Sequence, residues 1–161
     1  MGFAISWALA ILFTVAVQSS LVYFISYNGI SPDFVLIFVA FAGILHGRTH
    51  GMVVGFFCGL LLDLLNTGLF GFSTFSLFLV GMVSGMIQKK VYEDSFLLPI
   101  VLIFSFSICQ QILWNACLFL SGYRLTDLTV LFSISLIRII YDTLVTLPLL
   151  FVFNRIKKVV A

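Results

Sequence analysis

Ionisable side chains are scarce in this sequence: Asp, Glu, Lys and Arg make up 9% of 161 residues, against about 25% in an ordinary soluble domain. Too few charges are present to coat a water-facing surface. With 62% hydrophobic residues and a mean hydropathy of +1.25, a chain of this size has nowhere to hide its apolar surface, so the medium is lipid. The basic residues form no run with interleaved polar groups, which leaves nucleic-acid binding without support. The three cysteines, Cys58, Cys109 and Cys117, form no CxxC pair and lie in apolar stretches, where they read as small core hydrophobes. His46 and His50 stand four apart in "HGRTH", which supplies two metal ligands at most, and they read as part of a solvated connection. No serine, cysteine or carboxylate pair has the spacing of a catalytic constellation, so neither an enzyme nor a cofactor is expected. Long polar loops, linkers and low-complexity tracts are missing too. The chain is therefore expected to be one integral membrane domain over 1–161. No Lys or Arg precedes the first apolar run, which is too long for a signal-peptide core and reads as an uncleaved first span.

What is present is a series of apolar segments at about 3–25, 33–46, 51–65, 69–87, 96–120 and 129–153. They predict an all-α compact bundle of six transmembrane helices. Several starts carry capping chemistry: Ser31-Pro32-Asp33 offers a serine cap with proline at the first helical position, Asp94 or Ser95 serves the fifth span, and Thr126 or Asp127 the last. The second and third segments are short, since fifteen helical residues reach about 22 Å against about 30 Å of hydrocarbon. Two arrangements are open there, two full spans or one re-entrant hairpin over 33–65. With six spans, Arg48, Lys89, Lys90, Arg155, Lys157 and Lys158 fall on one side, Arg124 alone on the other, and Arg138 within the last span. The positive-inside rule then places both termini in the cytoplasm.

The segment "GMVVGFFCGLLLDLL" holds the most informative pattern. Gly51, Gly55 and Gly59 recur every four residues and form one smooth helical stripe, which Asp63 continues. Gly81 and Gly85 repeat the spacing on the fourth span. Small residues so placed let helix backbones approach closely, either within the bundle or against a partner's helix. A carboxylate inside an apolar run costs about 2.5–3.5 kcal/mol even on a lenient insertion scale, so Asp63 needs company. At similar depth the sequence offers Asn115, with Gln110 and Gln111 deeper, and Arg138 with Asp142 one turn on. Arg138 and Asp142 can pair within their helix, and Arg138 is long enough to snorkel toward Asp63. An outer-half polar cluster of Asp63, Asn115, Arg138 and Asp142 is the expectation. Such a cluster could be a ligand pocket, a proton or ion relay, or a polar clasp fixing helix register; a relay ordinarily needs titratable groups across the whole bilayer, which this chain lacks.

Taken in order along the chain, "QSSLV" in the first span with Gln18 at its polar interruption, "SPDFVLI" opening the second, "GMVVGFFCGLLLDLLNTGLFGFST", "LVGMVSG" and the closing "LVTLPLLFVFNRIKK" resemble the rod shape-determining protein MreD family of bacterial inner-membrane proteins over essentially the full length. The resemblance implies a non-enzymatic scaffold in the cell-elongation machinery that directs lateral-wall peptidoglycan synthesis. It also implies an MreC-type single-span partner and, indirectly, MreB and the wall-synthesis enzymes. A different class, the substrate-binding S component of an energy-coupling-factor vitamin transporter, shares six spans with both termini inside. Ala4 and Ala8 match the small-residue spacing such subunits use, but the Gly–Asp stretch is unlike theirs. A co-purifying single-span protein would mark the scaffold, and an ATPase module or a bound vitamin the transporter.

Overall fold

A computed structural model describes residues 2–25, 32–65, 70–88, 98–120, 133–146 and 148, and among these the regular structure is helical with no strand. The helices are α1 (Gly2–Ile25), α2 (Phe34–His46), α3 (Arg48–Leu65), α4 (Phe72–Met86) and α5 (Leu98–Leu120), and residues 133–146 form α6. The capping positions Ser31, Asp94, Ser95, Thr126 and Asp127, and the basic residues Lys89, Lys90, Arg124, Arg155, Lys157 and Lys158, lie outside the described residues.

Two local expectations change. The cap of α2 is Asp33, not a serine, and its Oδ1 accepts the Leu36 amide at 3.0 Å. The connection "HGRTH" is not a solvated loop either, because α3 begins at Arg48 and only Gly47 separates it from α2. Gly47 has φ 86°, a conformation that a Cβ would strain, and its amide returns to the Gly43 carbonyl at 2.8 Å. Freed of a loop, α3 gains three residues over the expected start and runs for 18 residues, about 27 Å.

With 13 residues, α2 reaches only about 20 Å, yet it is the spine of the bundle. Val35, Ile37, Val39, Ala40 and Ile44 are all fully buried, and Phe34, Phe38, Phe41 and Leu45 form one half-buried stripe, so the helix is apolar all round and covered on every face but that one. Helices α1, α3, α4 and α5 each touch it. The tightest packing is between α3 and α4, and the glycine stripe explains it. A Cβ on Gly55 would lie 2.8 Å from the Leu77 carbonyl carbon, and one on Gly59 would lie 2.7 Å from the Thr74 amide nitrogen. Gly81 faces Gly51 in return, and Gly85 faces the backbone at Arg48. The five glycines thus close a backbone-to-backbone seam inside this chain, and the seam offers no open face to a second protein.

Helix directions follow from these contacts. At the hairpin end, Trp7 of α1 meets the His46 ring edge-on at 4.8 Å, and Ile44 packs with Ile87 and Ile100. At the opposite end Gln18 of α1 meets the start of α2. Large apolar side chains face outward on every helix except α2, among them Phe13, Phe57, Phe75, Phe119 and Ile140. Two helical stretches, Arg48–Leu65 and Pro99–Cys117, are long and apolar enough to cross a membrane, and Ile5–Ser20, Phe34–His46 and Phe72–Met86 are apolar but shorter.

Candidate functional site

A helix leaves its first backbone amides without intrahelical partners, and in a lipid medium those amides must be satisfied by protein. Two short helices, α2 and α4, meet this demand at the same end of the bundle, and their starts gather the described carboxylates Asp33, Asp63 and Asp142.

At the start of α4, Asp63 does the work. Its Oδ2 accepts the Gly71 amide at 3.0 Å, the Thr74 amide at 2.9 Å and the Thr74 hydroxyl at 2.6 Å, and its Oδ1 accepts the Ser73 amide at 3.0 Å. The geometry is dictated by the seam: Gly59 lies against Ser73 and Thr74, so the acid one turn later on α3 faces the first turn of α4. Gly71, at φ 92°, turns the chain into that first turn. A carboxylate at a helix N-terminus is doubly favoured, by the amides and by the positive end of the helix dipole.

At the start of α2 the same demand is met by several helices. The Phe34 amide donates to Gln18 Oε1 at 2.9 Å, and Gln18 Nε2 donates to the Pro32 carbonyl at 3.1 Å. The Asp33 amide donates to Asp142 Oδ1 at 2.7 Å, while Asp142 Oδ2 accepts the Ser107 hydroxyl at 2.9 Å. Asp33 Oδ2 in turn accepts Gln110 Nε2 at 3.1 Å and lies 3.9 Å from Arg138 Nη2. Asp33 and Asp142 are 6% and 2% exposed, so both carboxylates have left water behind and depend on these partners. Residues from α1, α5 and α6 thereby converge on the first turn of α2.

The expected four-residue cluster is therefore divided. Asp63 does not meet Arg138; among the described residues the ion pair Arg138 makes is with Asp33, rather than with Asp142 on its own helix or with Asp63. Asn115 stands apart and donates to Ser135 Oγ at 3.4 Å, joining α5 to α6. Asp142 belongs to the α2 start. Sequence reasoning found Gln18 as a polar interruption and placed Asp33 only as the residue after a serine cap and proline, and nothing in either local pattern says that the two share a site. Ser107 carried no sequence signal, since a lone serine in an apolar helix ordinarily bonds back to its own turn.

Chemically the arrangement binds helices to one another. The Asp33–Asp142–Arg138 group has no imidazole among the described residues, because His46 and His50 sit at the hairpin end, where His50 Nδ1 lies 3.1 Å from the His46 carbonyl. The carboxylate oxygens that would receive a ligand are already engaged by Ser107, Gln110 and backbone amides.

In comparison with known proteins, the family model described as rod shape-determining protein MreD matches residues 1–159. The match takes in both helix starts and the entire glycine seam. Curated proteins give no match, and solved structures give none.

Proposed function

The chain belongs to the rod shape-determining protein MreD family, a membrane protein family with a role in cell shape, and on that premise we propose that it is a multi-pass scaffold of the rod complex in the bacterial inner membrane. In this reading all six helices span the bilayer, both termini are cytoplasmic, and the chain holds an MreC-type single-span protein through helix contacts. MreB and the wall-synthesis enzymes are reached through that partner. The family match over 1–159 carries the proposal. The positive-inside asymmetry supports the orientation. The internal use of the glycine seam supports a rigid unit whose outward apolar faces, not its glycines, are left for partners. The engaged state of Asp33 and Asp142 favours a structural role over ligand capture, so a vitamin-transporter S component gains no support from the site.

Purification of the full chain in mild detergent, with mass spectrometry of co-purifying proteins, tests the proposal together with rescue of rod shape in cells depleted of the protein. A single-span partner and shape rescue are expected. An ATPase module or a bound vitamin would overturn the scaffold. Reporter fusions at Tyr92 and the C-terminus should read cytoplasmic and those at Thr67 and Tyr123 external; a cytoplasmic Thr67 would replace two spans with a re-entrant hairpin.

A further inference from the structure

Two polar rungs cross the contact between α5 and α6: Ser107 donates to Asp142 Oδ2 at 2.9 Å, and Asn115 donates to Ser135 Oγ at 3.4 Å. Gln111 stands one turn from Ser107 and one turn from Asn115, so it faces α6 between those rungs, at the level of Arg138 and Ile139. It is 9% exposed, yet its amide bonds to no described residue. Two further groups at this level are in the same position. Gln110 donates from Nε2 to Asp33 Oδ2 at 3.1 Å, and its Oε1 is buried with no donor. Arg138 Nη2 approaches the same Asp33 Oδ2 only to 3.9 Å, beyond hydrogen-bond length, and none of its N–H groups bonds to a described residue. Along α5, Gln110 lies about 18 Å from Leu98 and about 15 Å from Leu120, the middle of a hydrocarbon core about 30 Å thick. Lipid supplies neither donors nor acceptors there.

The chemistry of these groups decides what fits among them. Gln110 Oε1 only accepts, Asp33 Oδ2 keeps a free lone pair beside its bond from Gln110, and the Arg138 guanidinium only donates. The occupant must therefore donate twice and accept once from a single point. It must also be small, because Asp33 Oδ2 is bonded to the same amide that carries Gln110 Oε1. A metal cation takes nothing from a guanidinium and is repelled by it, and an anion takes nothing from the two oxygens. Water meets all three demands: a buried water makes about three hydrogen bonds, and water is the ordinary bridge across a polar separation longer than about 3.5 Å. We propose that an ordered water is bound at mid-depth between α2, α5 and α6, donating to Gln110 Oε1 and Asp33 Oδ2 and accepting from Arg138, with Gln111 beside it. The inference goes beyond the scaffold reading and does not depend on it. It makes the attachment of α6 a wet contact, unlike the backbone-to-backbone seam of α3 and α4.

Solid-state NMR of the nitrogen-15-labelled full chain in lipid bilayers, with magnetisation started on water, tests the site. Transfer to the side-chain nitrogens of Gln110 and Arg138 is expected at mixing times at which the buried backbone amides of Ile37 and Val39 receive none. Gln110→Met exchanges the orphan acceptor for an apolar side chain of similar length and should abolish the transfer to Arg138. Transfer to Arg138 that survives this change would come from water at its exposed edge and overturns the bridging site. Absence of transfer to Gln110 in the parent chain overturns it as well, and so does transfer to Ile37 and Val39 as strong as that to Gln110, which would mean general penetration by water. Where Gln110→Met fails to fold, a high-resolution structure of the parent chain decides. Density within about 2.7–3.2 Å of Gln110 Oε1, Asp33 Oδ2 and an Arg138 nitrogen supports the water. Arg138 bonded directly to Gln110 Oε1, or no density among the three, overturns it.

Discussion

Asp63 closes the start of α4 alone, with one carboxylate taking three amides and a hydroxyl from residues 8 to 11 positions away. The start of α2 divides the same task among Gln18, Asp33 and Asp142, and the Asp33–Asp142 bond joins residues 109 positions apart. The first arrangement is a clasp between two neighbouring helices. The second ties α1, α5 and α6 to the central helix. A local clasp secures a hairpin, whereas a shared one secures a topology, and the molecule uses each where the helix start requires it: the first turn of α4 lies against α3, and the first turn of α2 meets α1, α5 and α6.

Substitutions can break or sharpen this contrast. The largest effect is expected from Gly55→Leu, because the added side chain meets backbone at Leu77 and forces α3 and α4 apart. The loss should exceed the usual 1–3 kcal/mol of overpacking, about 3 kcal/mol or more, and be seen as failure to elute as a monodisperse folded species. In that background Asp63→Leu should add little, since the acid has already lost its helix; full additivity would show that the clasp does not depend on the seam.

Asp142→Leu should come next. It strands the Asp33 amide and the Ser107 hydroxyl, bonds to a charged group worth about 1.5–3 kcal/mol each, and the melting temperature in detergent should fall sharply. Asp142→Asn keeps an acceptor for one of them and should retain most of the stability. A proton relay would give the opposite pattern, with Asn abolishing function while the fold stays intact.

Asp63→Leu should cost less than Asp142→Leu, because the groups it frees at Gly71, Ser73 and Thr74 are half-buried whereas Asp33 and Ser107 are buried, and Asp63→Asn less again. Limited proteolysis between α3 and α4 is the suitable readout, since global melting averages the local opening away. The smallest effect concerns Arg138. Its ion pair with Asp33 is long, and the arginine side chain is 35% exposed, so Arg138→Leu should cost about 0.6 kcal/mol, typical of polar contacts between membrane helices. Combined with Asp63→Leu the losses should add within about 0.5 kcal/mol, because the two residues share no partner. Partial rescue in the double variant would restore a direct Asp63–Arg138 link.

The contrast also marks how far the sequence could be read. The glycine stripe and the acid continuing it were legible, because four-residue spacing on one helix is a local property and its consequence, close approach, is general. Which helix approaches was not, since α3 is equally smooth toward any neighbour. The start of α2 was legible only in pieces: Gln18 shows as a polar interruption and Ser31-Pro32-Asp33 as a helix start, but a bond across 109 positions leaves no periodicity. Arg138 illustrates the error this produces. Depth matching brought it to Asp63 because both carry charge, whereas the orphan amides at the first turn of α2 exert the stronger pull on carboxylates and leave Asp33 as the arginine's neighbour. The connection at Gly47 was missed for a simpler reason. Polar residues in "HGRTH" suggest a loop, but a single left-handed glycine lets His46 end one helix and Arg48 begin the next.

The order in which the polypeptide is made gives the shortness of α2 a meaning in time. Gln18 is synthesised before α2 and Gln110 within α5, but Arg138 and Asp142 leave the ribosome only after the other helices have been delivered. Until α6 arrives, the start of the central helix is incomplete, held by α1, by Gln110 and by Asp33 itself. The α3–α4 hairpin, by contrast, carries all it needs to close once α4 has been made through Gly85. Assembly in the membrane is thus divided into an early step that finishes itself and a late one that waits for the last helix, and a chain interrupted before Asp142 would present quality-control proteases with an open helix end.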